Sequence, residues 1–174
     1  MDIIKQKGKL LALILRHDPK KFGIKLDKYG WAEAEDLVDT GEFTFDQLYE
    51  IVKTNAKKRF VLDAVNGKIR ALQGHSIKVD LQLTPAEPPK VLYHGTTKRF
   101  KESILNSGIK KRSRQHVHLS ADTSTARSVG MRRSKRPVIL TINALEMYKN
   151  GHIFYLSENG VWLTDFVPER FIQQ

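Results

Sequence analysis

Arg16 and His17 stand side by side at the end of an apolar run, where a guanidinium and an imidazole together can hold a phosphate and move a proton. Adjacent side chains at a helix end diverge by about 100°, so both can reach a cleft beyond the last turn. The plainer alternative is that Arg16 satisfies terminal carbonyls and His17 caps the helix. The pair has company, however. Arg59 and Arg70 fall on two strand-like runs, and Gln73-Gly74-His75-Ser76 follows the second. His94-Gly95-Thr96-Thr97 closes another run in a Gly/Thr turn, whose amides and hydroxyls suit a phosphate or a ribose. Lys110, Lys111, Arg112, Arg114, Arg127, Arg132, Arg133, Lys135 and Arg136 then crowd residues 110–136 against Asp122 alone. A solvated basic face is the ordinary explanation, but most of these cations are arginines, whose planar forks match phosphate oxygens.

Other chemistries are excluded by the residues themselves. The chain has no cysteine, so a disulfide scaffold, a thiolate zinc site and a cysteine nucleophile are impossible. No two of its 11 glycines have the separation that a Rossmann fingerprint or a P-loop demands. If a nucleotide binds, it binds by another route. His116 and His118 share one strand face, but no third ligand stands nearby, and no metal site is expected.

The elements that must position these groups can be read from period and punctuation. Ile3, Ile4, Leu10, Leu11, Ile14 and Leu15 fall largely on one helical face, and Pro19 stops that helix soon after Arg16-His17. Thr44 with Gln47 makes a capping box for a helix through Leu48, Ile51 and Val52. Residues 59–62 and 68–72 then read as two strands, with Asn66-Gly67 as the turn signal between them. Helices closed by a hairpin suggest a winged-helix module, a type that more often binds DNA or protein than catalyses. After residue 90 the pattern alternates: strands at 91–94, 117–119, 138–142, 153–155 and 161–163, with helices at 101–106 and 122–129. Ser120 or Asp122 can cap the second of these helices, and Gly108 and Gly130 mark stops. The fold class is α+β.

Composition sets the frame. At 174 residues, 40% hydrophobic and 28% charged, the chain can bury a core and has room for one or two domains. Three prolines within residues 85–89 disfavour helix and central strand, and mark an interdomain linker between a lobe at 1–84 and a lobe at 90–174. The net charge of +11 is unevenly placed. Residues 1–89 carry 15 basic and 13 acidic side chains, whereas residues 90–174 carry 15 and 6. A polyanionic partner, nucleic acid or a phosphorylated ligand, is indicated. The apolar run Leu10–Leu15 is too short to span a membrane and no cleavage signal follows, so a cytoplasmic protein is expected.

Six segments in order carry a resemblance. They are Leu15-Arg16-His17, Lys58-Arg59-Phe60, the run from Ile69 to Ser76, Tyr93-His94-Gly95-Thr96, His116-Val117-His118-Leu119-Ser120, and Asn159 to Thr164. Together they closely resemble the RNA 2′-phosphotransferase family over residues 10–172. Each tripeptide alone is weak; six with compatible spacing are specific. The resemblance implies an N-terminal winged-helix lobe, a C-terminal lobe of the ADP-ribosyltransferase type and an active site between them. It implies an NAD-dependent enzyme that binds RNA, with tRNA splicing as the associated process. An internal RNA 2′-phosphate attacks C1″ of NAD and expels nicotinamide. The ribose 2″-hydroxyl then attacks that phosphorus, leaving RNA with a 2′-hydroxyl and releasing ADP-ribose 1″,2″-cyclic phosphate.

Carried over residue by residue, the resemblance implies that Arg16, His17, Arg59 and Arg114 are catalytic. Arg112, Arg127 and Arg132 share the basic region of the last; Arg114 is preferred for its place just before His116-Val117-His118. His94, Gly95, Thr96, His118 and Ser120 are implied to seat NAD, with Arg132 on pyrophosphate or RNA. Val161 stands where many relatives in the broader transferase class carry a glutamate, so the first step is expected to rely on positioning and on the phosphate nucleophile itself. NAD is consumed as a co-substrate, no metal is needed, and a monomer is expected. Two other classes compete: an ADP-ribosyltransferase acting on another acceptor, such as a nucleic-acid terminal phosphate, and a non-catalytic winged-helix binding protein.

Overall fold

The apolar stripe near the N-terminus forms α1, Ile3–Arg16, with Leu11, Ile14 and Leu15 fully buried on one face. This computed structural model describes residues 3–173. They fall into two compact units, one ending at Gln82 and the other beginning at Leu83.

In the first unit, α1 is followed by β1 (Trp31–Glu33), α2 (Ala34–Asp39), α3 (Phe45–Thr54), β2 (Phe60–Asp63) and β3 (Lys68–Ala71). The capping box predicted at Thr44 and Gln47 starts α3, each side chain pairing with the other residue's backbone N–H at 3.2 Å. The turn between β2 and β3 is built on Asp63, whose carboxylate accepts from the Val65 and Asn66 amides and from the Asn66 side chain. β3 is the central strand of an antiparallel sheet in the order β1-β3-β2. Its period of two buries Ile69 and Ala71 in the core and turns Lys68 and Arg70 to the other face. Arg59 sits just ahead of β2 rather than on it. β1 and α2 have no counterpart among the sequence expectations, because elements of three and six residues are too short to display a period.

The second unit contains β4 (Leu92–Thr96), α4 (Lys98–Ser107), β5 (Ile109–Lys110), β6 (Val117–Leu119), α5 (Thr123–Gly130), β7 (Val138–Ile142), α6 (Ala144–Lys149), β8 (Phe154–Leu156), β9 (Trp162–Thr164), β10 (Phe166–Val167) and β11 (Ile172–Gln173). Its sheets are antiparallel, in the orders β11-β7-β4, β6-β9-β8 and β10-β5. Leu92, Leu119, Leu140, Ile142 and Phe154 are fully buried in its core. Pro85 and Ala86 already belong to this unit: Pro85 bridges Tyr155, and the Ala86 amide donates to the Phe154 carbonyl at 2.8 Å. The overall class is mixed, with helices and antiparallel sheets in both units. No helix among the described residues is long and apolar enough to cross a membrane.

Candidate active site

In the first unit the polar groups gather around the end of α1. The last four carbonyls of a helix have no partner within it. Here the Ser76 amide donates to the Arg16 carbonyl at 2.9 Å, which ties the Gln73–Ser76 segment to the helix end. The Ser76 hydroxyl lies 2.9 Å from His17 Nδ1. Arg16 turns inward: one Nη donates a long hydrogen bond, 3.4 Å, to the Arg59 carbonyl, and its guanidinium lies 5.6 Å from the centre of the Phe60 ring. That path passes Gly74, which has φ +92°, and a Cβ there would lie 3.4 Å from Arg16 Nη1. Glycine at 74 therefore serves the backbone conformation, while a Cβ there would only touch the guanidinium at ordinary contact distance. Arg59 also accepts the Leu72 amide through its carbonyl, at 2.9 Å. Arg16, His17 and the Arg59 backbone are thus brought to one place, with Gly74 and Ser76 against them.

His75 lies beneath this group at 1% exposure, and neither ring nitrogen has a hydrogen-bond partner among the described residues. Burial, then the charges of Arg16, His17 and Arg70, pushes its pKa down to about 4. It is a neutral imidazole at physiological pH. Arg70 faces the opposite way from the core, stacked 4.6 Å from the centre of the Trp31 ring.

In the second unit β4 carries Tyr93-His94-Gly95-Thr96, and reciprocal backbone hydrogen bonds between Tyr93 and Ser120, at 2.8 and 2.9 Å, join it to the end of β6. This brings His94 Nδ1 within 3.2 Å of the His118 carbonyl, while His118 Nδ1 lies 3.0 Å from the His116 carbonyl. Burial, the largest influence, lowers the pKa of His94; the bond to the His118 carbonyl opposes it, and the charge of Arg114 adds to it. Arg114 is itself held below the usual arginine value by partial desolvation and then by the neighbouring charges of Arg132 and Arg133. Arg114 is thus near enough to act electrostatically on His94, and Arg132 and Arg133 near enough to act on Arg114. Arg112 points elsewhere, onto the Phe100 ring at 4.8 Å from its centre.

Gly95 has a packing reason for its identity. A Cβ there would lie 1.9 Å from the Ala126 carbonyl oxygen, so only glycine lets α5 rest on β4. Asp122 caps that helix by accepting from the Thr125 amide at 2.7 Å and from the Ser124 and Thr125 hydroxyls; these bonds lower its carboxyl pKa to about 2. Arg132 follows in the turn after α5, its amide donating to the Val129 carbonyl. Thr96, the last residue of β4, is buried. Val161 is half-buried in a turn braced by Ser157, whose Oγ donates to the Val161 carbonyl at 2.8 Å. Among the described residues no three His, Asp or Glu side chains are grouped so as to hold a metal ion.

The sequence singles out Gln73-Gly74-His75-Ser76, but it does not show that Ser76 meets His17 or that His75 is buried. Their neighbourhood is created by a loop that returns 59 positions along the chain to the end of α1, and no local period marks such a return.

The similarity of the chain to known proteins runs along its length. The family model described as RNA 2′-phosphotransferase, Tpt1 / KptA family, matches residues 3–166. A probable RNA 2′-phosphotransferase of Fusobacterium nucleatum is 49% identical, over 99% of this chain and 99% of its own length. A probable RNA 2′-phosphotransferase of Rhodopirellula baltica is 51% identical, over 95% of this chain and 92% of the relative. Another, from Flavobacterium johnsoniae, is 49% identical and likewise nearly full-length. With a family model covering nearly all of the sequence and relatives of one description aligned end to end, the chain belongs to the RNA 2′-phosphotransferase family.

Proposed function

We propose that this protein removes an internal 2′-phosphate from RNA in an NAD-dependent, two-step reaction. The observation that carries the reading is the clustering of Arg16, His17 and the Arg59 backbone at the Gly74–Ser76 segment, in a chain of this family. The first unit, with three helices and a sheet ending in the β2–β3 hairpin, is read as the winged-helix lobe; the second, with His94-Gly95-Thr96 on β4, as the ADP-ribosyltransferase-like lobe.

NAD, as co-substrate, supplies an electrophilic C1″ and a leaving nicotinamide. His94, Thr96, His118 and Ser120 seat its nicotinamide ribose, on the strand ends that the Tyr93–Ser120 bridge holds together. Gly95 contributes by keeping α5 against β4. Arg16 and Arg59 hold the RNA phosphate as guanidinium forks and stabilise the charge that develops when phosphorus is attacked. Arg114 is the fourth member of the set, favoured over Arg112 by its electrostatic reach to His94 and by the stacking of Arg112 on Phe100. Arg132, beside Arg114, contacts pyrophosphate or RNA. His17 moves the proton in the second step, since a histidine's ordinary value near 6.5 makes both protonation states accessible. The protein acts as a cytoplasmic monomer, with spliced tRNA among its candidate substrates.

The test is to incubate the protein with NAD and a short RNA bearing one internal 2′-phosphate, and to analyse both RNA and small-molecule products. RNA with a 2′-hydroxyl, nicotinamide and ADP-ribose 1″,2″-cyclic phosphate are expected; unchanged RNA overturns the reading. His17→Ala or Arg59→Ala stalls the reaction at ADP-ribosylated RNA. Loss of NAD binding without that intermediate refutes their assignment to the second step. A stable adduct from the unmodified protein would instead identify an ADP-ribosyltransferase of another kind.

A further inference from the structure

Strands β4 and β7 pair antiparallel with Thr96 opposite Val138, so the segment that leaves β4 for α4 and the segment that leads into β7 run side by side. Glycine at 130 lets the turn after α5 fold down beside them, since a Cβ there would lie 2.6 Å from Pro137 Cβ and 3.4 Å from the Thr96 carbonyl oxygen. That turn is held by its own bonds: the Arg133 and Ser134 amides donate to the Gly130 carbonyl, and the Arg136 amide donates to Ser134 Oγ at 3.2 Å. Between the two segments lies a cavity of about 410 Å³, a size ordinary for ligand sites.

Its walls carry four cations, Lys98, Arg99, Arg133 and Arg136, all exposed, and no acid. Among the described residues none of the four forms an ion pair. The Phe100 ring in the same wall has Arg99 5.7 Å and Arg112 4.8 Å from its centre, which brings a further guanidinium close. Nothing in α4 itself accounts for this charge. The helix has no acid in its first turn and opens on Lys98-Arg99, at the end where the helix dipole disfavours cations; α5, by contrast, opens on the capping carboxylate of Asp122. Like charges converging on one cavity repel one another until an anion occupies it, and a cleft of one sign concentrates the field that draws the anion in.

NAD brings a single pyrophosphate, whereas an RNA strand brings a phosphate with every nucleotide, which suits several exposed cations spread over two segments. We propose that this cavity is a docking subsite for the RNA strand, holding backbone phosphates outside the 2′-phosphorylated nucleotide. The proposal rests on the functional reading above for its ligand. The contact is to phosphate, so it adds affinity and orientation without reading base sequence.

The test uses the full-length chain and the triple variant Lys98→Ala/Arg99→Ala/Arg136→Ala. Binding of a fluorescent ten-nucleotide RNA with one internal 2′-phosphate is followed by anisotropy over a salt series without NAD. The slope of log affinity against log salt should become shallower by about 0.7 for each phosphate released, so that loss of one or two phosphates weakens binding about 5- to 25-fold at 0.1 M salt, taking the lines to meet at 1 M. In steady-state assays the KM for the ten-nucleotide RNA should rise, while turnover of a 2′-phosphorylated dinucleotide and the KM for NAD stay unchanged. Arg136→Ala alone, which alters no helix or strand, should give a smaller change in the same direction, so a folding failure of the triple variant leaves the question answerable. Parallel salt lines, or an equal loss on the dinucleotide and the longer strand, overturn the proposal. A raised KM for NAD with unchanged RNA binding overturns it too, by assigning the cavity to the pyrophosphate. If the unmodified chain binds the strand through these residues yet leaves its 2′-phosphate in place, the functional reading fails and the subsite stands.

Discussion

His75 offers a quantitative test of the first unit's electrostatics. The ring is buried at 1% exposure without a hydrogen-bond partner among the described residues, beside the charges of Arg16, His17 and Arg70, and its pKa is lowered from 6.5 to about 4. Above pH 6.5 the folded and unfolded chains both hold it neutral, so it contributes no pH dependence. Between 6.5 and about 4 only the unfolded chain takes up the proton, so stability falls as pH falls; below about 4 both states are charged and the effect saturates. Between pH 7.5 and 5 the expected loss is about 2 kcal/mol, toward a limit near 3 kcal/mol at lower pH. His94 and His116 are lowered in the same direction, chiefly by burial, so the His75 share must be isolated by substitution. His75→Leu removes the titration without abandoning a hydrogen bond. Urea denaturation, followed by β3 amide signals at pH 7.5 and 5, should show a smaller loss in His75→Leu than in the unmodified protein, by about 2 kcal/mol. An NMR titration placing His75 near 6.5, or an identical acid sensitivity in His75→Leu, would refute the reasoning.

Gly95→Ala should destabilise the second unit by about 3 kcal/mol or more, because the new methyl falls inside the Ala126 carbonyl and α5 must lift from β4; thermal unfolding monitored by Trp162 and an NAD-binding assay check it, and an unchanged melting temperature contradicts it. Replacing Arg132 and Arg133 together by alanine should weaken binding of 2′-phosphorylated RNA. The slope of log affinity against log salt should also become shallower, by about 0.7 for each single-strand phosphate that an arginine no longer neutralises. Fluorescence anisotropy over a salt series measures that slope, and parallel lines for the two proteins would show that these arginines do not touch the RNA.

Several features were legible in the chain because their causes are local. The i, i+3, i+4 spacing of Leu11, Ile14 and Leu15 produces α1, the Thr44–Gln47 box starts α3, and the run after Asp63 turns β2 into β3. The uneven basic charge and the motif series were equally open to reading, and the motifs led to the family that the comparisons show. Other features were hidden. β1 and α2 are too short to have a period, and the break between units falls after Gln82, with Pro85 and Ala86 held by strand-like bonds to Tyr155 and Phe154. Composition marks where a chain is stiff, but hydrogen bonds decide which side the stiff segment joins.

The sequence by itself determined which groups are available: Arg16 beside His17, an arginine-rich second half, His94-Gly95-Thr96 and the absence of cysteine. Those are facts of composition and short spacing. Only the tertiary structure decided which of them meet. It put Ser76 against His17, Gly74 against Arg16, and the Ala126 carbonyl where a Cβ on Gly95 would lie; within the basic region it set Arg114 acting on His94 and Arg112 on Phe100. The physical reason is one of range. Helix and turn propensities act over a few residues, whereas hydrogen bonds and charges act over a few ångströms between residues whose separation along the chain carries no information about their distance in space.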